Sequence, residues 1–126
     1  MKKILENVEI KSEFIGNAVW RPFSSFRSDK WECWLSRGDN KIFVVFHLGE
    51  GHEGREPELK DVIHALLSDS YAGSLSFEDF CEEFGYDTDS RRAYATWEDC
   101  ERHARKLRVL FTPEEIEQLE AEFINY

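Results

Sequence analysis

The chain has 126 residues, 41% of them hydrophobic and 14% aromatic, with a formal net charge of −10. This length suits one domain with a real core, and the aromatic mass excludes a disordered chain. So acidic a balance disfavours direct binding to a phosphate backbone, which depends on Lys and Arg displacing counterions, and makes a basic partner the natural one.

Met1-Lys2-Lys3-Ile4-Leu5 opens like a signal peptide, but Glu6 interrupts it before an apolar core forms, and no later run approaches the length of a membrane span. A soluble cytoplasmic protein is therefore expected, with no membrane contact. Cys33, Cys81 and Cys100 are odd in number, widely spaced and set in apolar patterns, which reads as reduced core thiols. No C-x-x-C pair offers a zinc site, and no metal or cofactor is expected.

Residues 8 to 48 carry the strand signal. Val8, Ile10, Phe14 and Ile15 start it, Gly16-Asn17 reads as a turn, and Ala18-Val19-Trp20 continues beyond. Pro22 and Ser24-Ser25 mark the stretch from Trp20 to Lys30 as a loop or irregular edge. The runs Trp31 to Arg37 and Lys41 to His47, joined by Gly38-Asp39-Asn40, predict an antiparallel hairpin. A glycine-rich loop, residues 49–57, then changes the period from two to 3.6.

Four helices follow. Pro57 opens the first, whose stripe is Leu59, Val62, Ile63, Leu66 and Leu67, with an end expected near Asp69. Ser76 caps the second and Gly85 stops it, with Phe77, Phe80, Cys81 and Phe84 on one face and Glu78, Asp79, Glu82 and Glu83 on the other. The third runs from about Asp89 to Leu110 on Ala93, Trp97, Cys100, Ala104, Leu107 and Phe111, with Asp87 and Asp89 as its caps. Thr112-Pro113-Glu114-Glu115 starts the fourth, which buries Ile116, Leu119 and Phe123. The whole predicts a single α+β domain over 1–126, an N-terminal antiparallel sheet of three or four strands packed against about four C-terminal helices.

Charge is uneven along this chain. Residues 1–73 hold 10 basic and 12 acidic side chains, whereas residues 74–126 hold 6 and 14, with no Lys or Arg between Ser74 and Ser90. All six of the later basic residues (Arg91, Arg92, Arg102, Arg105, Lys106, Arg108) lie on the third helix.

Several catalytic signals fail on inspection. Gly49-Glu50-Gly51-His52-Glu53-Gly54 matches a dinucleotide spacing, but it follows a hairpin strand and its glutamates would repel a pyrophosphate. The span from Asp87 to Glu98 places acids at positions 1, 3 and 12 of a calcium loop, yet Arg92 stands where that loop needs glycine. The four histidines show no paired spacing. His52, between Glu50 and Glu53, is the one read as a candidate partner contact. The sequence thus predicts no enzyme.

The run Ser76 to Ala93, with Lys106-Leu107-Arg108 after it and Gly49-Glu50-Gly51-His52 before it, resembles a family of small proteins from bacteriophages and other mobile elements. The likeness covers about the last two-thirds of the chain. The family has no settled activity, so it implies a genomic setting more than a reaction. Small acidic proteins of that setting are often inhibitors of host defence, such as anti-CRISPR and anti-restriction proteins, which this chain resembles in size and charge. The expected function is then inhibition of a host nucleic-acid-processing complex with a basic groove, by charge complementarity that blocks DNA binding. The expected contacts are Glu78, Asp79, Glu82, Glu83, Tyr86, Asp87, Asp89 and His52, with Tyr86 or Trp20 as aromatic anchor. The alternative is a nucleic-acid-binding accessory protein using the arginines of the third helix.

Overall fold

The computed structural model describes residues 2–19, 27–48 and 55–123. Trp20, His52 and most of the glycine-rich loop lie outside the described residues. The elements in order are α1 (Lys2–Glu6), β1 (Val8–Val19), β2 (Arg27–Arg37), β3 (Asn40–Leu48), α2 (Leu59–Gly73), α3 (Phe77–Phe84), α4 (Arg91–Leu110) and α5 (Pro113–Phe123). After the five-residue α1, the strands are grouped together and the longer helices follow, which makes this the α+β class that the change of period predicts. The chain divides into two compact units, residues 2–62 and residues 63–126, with the division inside α2.

In the first unit the strands form an antiparallel sheet in the order β1-β2-β3. Arg37 pairs with Asn40, so the hairpin turn is the two residues Gly38-Asp39 and not three. Gly16-Asn17 is not a turn. At φ 133°, Gly16 lets the strand bulge between Phe14 and Gly16, and pairing with β2 continues to Val19. Arg27 to Lys30, expected in a loop, belong to β2 and are paired on both sides from Asp29 onward. Strict alternation buries Cys33, Leu35, Ile42 and Val44 on one face of the sheet. The short helix α1 has no counterpart among the sequence expectations.

In the second unit α4 contacts both α3 and α5. Phe80 and Cys81 from α3, Ala72 from α2 and Ala93 from α4 form one buried cluster, flanked by Leu75, Phe77, Trp97 and Cys100. The indole Nε1–H of Trp97 donates to the Leu75 carbonyl at 3.0 Å, which satisfies the donor of a half-buried ring. Helix α2 runs four residues past the expected stop at Asp69, and its last residue, Gly73, is buried directly against the backbone of Cys100 and Glu101. Leu107, Leu110, Phe111, Ile116 and Leu119 are also buried.

Helix α5 begins with a complete capping box. Thr112 Oγ1 accepts from the Glu115 N–H at 3.2 Å, and Glu115 Oε1 accepts from the Thr112 N–H at 3.0 Å. Thr112→Ala removes one acceptor and unties the other arm. Its expected cost is about 1 kcal/mol, read as a lower thermal midpoint with the helix content at low temperature unchanged.

Candidate functional site

The acidic stretch between Ser76 and Ser90 is held in place by caps and rings. Ser76 Oγ accepts from the Asp79 N–H at 3.1 Å and fixes the start of α3. Phe80 and Cys81 point inward, so Glu78, Asp79, Glu82 and Glu83 are exposed. Gly85, in the left-handed conformation at φ 77°, then reverses the chain, and the N–H groups of Gly85 and Tyr86 both donate to the Cys81 carbonyl at 2.9 Å. The reversal lays the Tyr86 ring flat on Phe80, with centroids 5.4 Å apart and planes 9° from parallel. Phe84 leans on the same ring at 5.1 Å.

Phe84 is not the core residue its spacing suggests. It is 47% exposed and Tyr86 is 42% exposed, so two aromatic surfaces sit among the acids. The reason is positional: α3 is only eight residues long, and Phe84 falls in its last turn beside Gly85. Tyr71 and Tyr94 are also exposed aromatics of this unit, and Tyr94 packs on Phe77 at 5.1 Å. Neither was singled out by sequence. An aromatic next to a charged position on an amphipathic helix was the available signal.

Asp87 and Asp89 are exposed but do not cap α4. Ser90 does, its Oγ accepting from the Ala93 N–H at 3.1 Å. The preceding turn is closed by the Ser90 N–H on the Asp87 carbonyl at 3.1 Å. Because α4 begins at Arg91, residues 91 to 98 are helix where a calcium loop would have to stay open. Among the described residues no three His, Cys, Asp or Glu side chains are grouped to hold a metal.

Among the described residues, no Lys or Arg makes an ion pair with Glu78, Asp79, Glu82, Glu83, Asp87 or Asp89. The polar partner Glu83 does have is the Tyr71 hydroxyl, which donates to Oε1 at 2.7 Å. That bond to a carboxylate raises the phenol above its ordinary range. These acids thus form a stretch of negative charge with no ion-paired Lys or Arg among the described residues.

The basic residues of α4 are differently placed. Arg102 is paired with Asp99 at 2.6 Å, and Arg105 approaches Glu101 at 4.0 Å. Lys106 is partly buried, and burial, followed by the charge of Arg102, lowers its pKa. Arg91, Arg92 and Arg108 are exposed. The six therefore do not present one uniform cationic strip, since Glu98, Asp99 and Glu101 are interleaved with them at helical spacing.

His103 Nδ1 lies 2.7 Å from Asp69 Oδ2, joining α4 to α2. His64 is exposed, and burial with the neighbouring Lys30 lowers the pKa of His47. All three thiols are raised, first by burial, Cys100 up to about 11, so none is a thiolate at neutral pH. Glu114, Glu117 and Glu122 on α5 are exposed, while Glu115 is committed to the helix cap.

In comparisons with known proteins, no family model, no curated protein and no solved structure matches the chain.

Proposed function

We propose that this protein works by binding, with α3 and the turn after it offered to a basic groove on a partner that handles nucleic acid. The observation that carries the reading is the set of six exposed carboxylates, unpaired with any described Lys or Arg, four on a short helix pinned at both ends and two, Asp87 and Asp89, in the turn that follows it. Carboxylates held at one-turn spacing, about 5–6 Å, can take the place of phosphates in a groove lined with Lys and Arg. Phe84 and Tyr86 supply the apolar contact that charge alone lacks, because desolvated aromatics dominate binding energy at protein interfaces. The proposed partner is a host defence complex, such as a CRISPR effector, whose DNA-binding groove would be blocked, on the expectation that residues 76–93 belong with proteins of mobile elements.

The test is affinity for a purified candidate complex as a function of salt. Binding should weaken steeply between about 0.1 M and about 1 M ionic strength, as expected when surface charges do the steering. Glu82→Lys together with Glu83→Lys should weaken it at least tenfold by slowing association. A salt-independent affinity would overturn the reading. So would tight binding of the isolated protein to DNA in a mobility-shift assay, which would favour Arg91, Arg92 and Arg108 as the contact residues.

A further inference from the structure

The sheet has a second face, opposite Cys33, Leu35, Ile42 and Val44, and it is not the polar face that alternation normally leaves to water. Trp34, Phe43 and Val45 lie on it at 40%, 38% and 40% exposure. Trp34 and Phe43 are cross-strand neighbours with ring centroids 5.4 Å apart. A contiguous exposed group of large apolar side chains rimmed by charge marks an interaction surface.

The strand register sets the charges around it. Lys11, Trp34 and Phe43 form one row across the three strands, and Glu13, Glu32 and Val45 form the next. Glu9, Ser36 and Lys41 lie beyond the first row, and the lining of the hollow of about 390 Å³ there includes Glu9, Lys11, Trp34, Ser36 and Lys41, with Ile10 and Leu35 between them. Lys30 lies beyond the second row. Glu13 and Glu32 stand directly opposite each other, a like-charge cross-strand pair that costs stability unless a cation comes close. Among the described residues neither makes an ion pair.

We propose that this face is the interface of a symmetric dimer, its occupant being a second copy of the same chain. A two-fold axis lying between the sheets, across the strands and midway between the two central rows, superposes each row on the other row of the partner copy. Lys11 then meets the Glu13–Glu32 pair, Phe43 meets Val45, Trp34 covers Glu32, and Lys30 reaches the hollow beside Glu9. Each contact occurs twice, as an isologous interface requires. Sheets pack face to face at about 10 Å with strands aligned to within about 30°, which suits side chains of this length. A single-stranded nucleic acid could stack on Trp34 and Phe43, but Glu13 and Glu32 would face its phosphates, so a self-complementary surface fits the mixed charges better.

Sedimentation equilibrium of the full chain over micromolar to submillimolar concentration tests this. Wild type should be a dimer. Trp34→Glu should raise the dimer dissociation constant by about 100-fold or more, as for a central anchor, with an unchanged circular dichroism spectrum. Lys11→Glu and Glu13→Lys should each weaken the dimer about tenfold, as close charge pairs do across interfaces. Combined in one chain, they should restore it, because the two-fold brings the swapped charges together again. A monomeric wild type would overturn the proposal, as would a dimer indifferent to Trp34→Glu or a double variant no better than its parents. Binding of a single-stranded oligonucleotide by a monomer, abolished by Trp34→Glu, would assign the face to nucleic acid instead.

Discussion

Gly73→Ala is expected to destabilise the protein by about 3 kcal/mol and to lower the thermal midpoint by roughly 10–20 °C, at the upper end of what overpacking a dense site costs. The reason is space and not backbone angle. A Cβ at Gly73 would overlap the carbonyl carbon and oxygen of Cys100 and the amide nitrogen of Glu101. These are backbone atoms in the middle of α4, so no side-chain rotation can make room, and α2 and α4 would have to separate. The separation would strain the contacts nearest the glycine, including the bond between Asp69 and His103 and the Trp97 indole on the Leu75 carbonyl. Gly85→Ala is the informative control, because nothing lies within 4 Å of its Cβ position and only the left-handed φ of 77° is penalised, at about 1–2 kcal/mol. Thermal melts of both variants, with Gly73→Ala the more damaging, check the claim. If Gly73→Ala melts like wild type, α2 and α4 do not approach so closely.

That contrast also marks where sequence reading stops. The elements whose ends are written in local chemistry were legible: Ser76 and Gly85 bound α3 as expected, Thr112-Pro113-Glu114-Glu115 starts α5, and the aromatic runs around Gly38-Asp39 pair as a hairpin. Gly73 lies beyond the helix end that the apolar stripe predicts near Asp69, and its role is to let a helix distant in sequence approach, which no nearby residue encodes. The Gly16 bulge hid for a similar reason, since Gly-Asn reads as a turn unless the pairing strand is known. In the candidate site, the six acids were recoverable from the absence of Lys and Arg between Ser74 and Ser90. Two features were not. The exposure of Phe84 depends on where a short helix runs out. The pairing of Arg102 and Arg105 with acids of their own helix depends on rotamers, which the spacing permits but does not dictate.

Phe80→Ala should be the most damaging single truncation at the candidate site, with a loss of about 3–5 kcal/mol, the range for deleting a buried aromatic ring. Phe80 is 2% exposed, belongs to the cluster with Ala72, Cys81 and Ala93, and is the ring on which both Phe84 and Tyr86 rest. Removing it leaves a cavity under α3 and takes away the surface that orients Tyr86 after the Gly85 reversal. Phe80→Leu separates these two effects. It keeps most of the buried volume and should cost less than about 1.5 kcal/mol, yet it offers no flat face for stacking. If the exposed ring of Tyr86 is a binding anchor held in place by Phe80, the leucine variant should fold nearly as well as wild type and still bind its partner several-fold more weakly. The loss should appear mostly in the dissociation rate, because anchors that pack in pockets control how long a complex lasts while outlying charges control how fast it forms. Charge reversal at Glu82 and Glu83 should do the opposite and slow association. Measuring both rates for the leucine and charge-reversed variants therefore assigns separate roles to the ring and to the carboxylates beside it. Equal effects on both rates would mean that the acids and the stacked ring do not act as field and anchor.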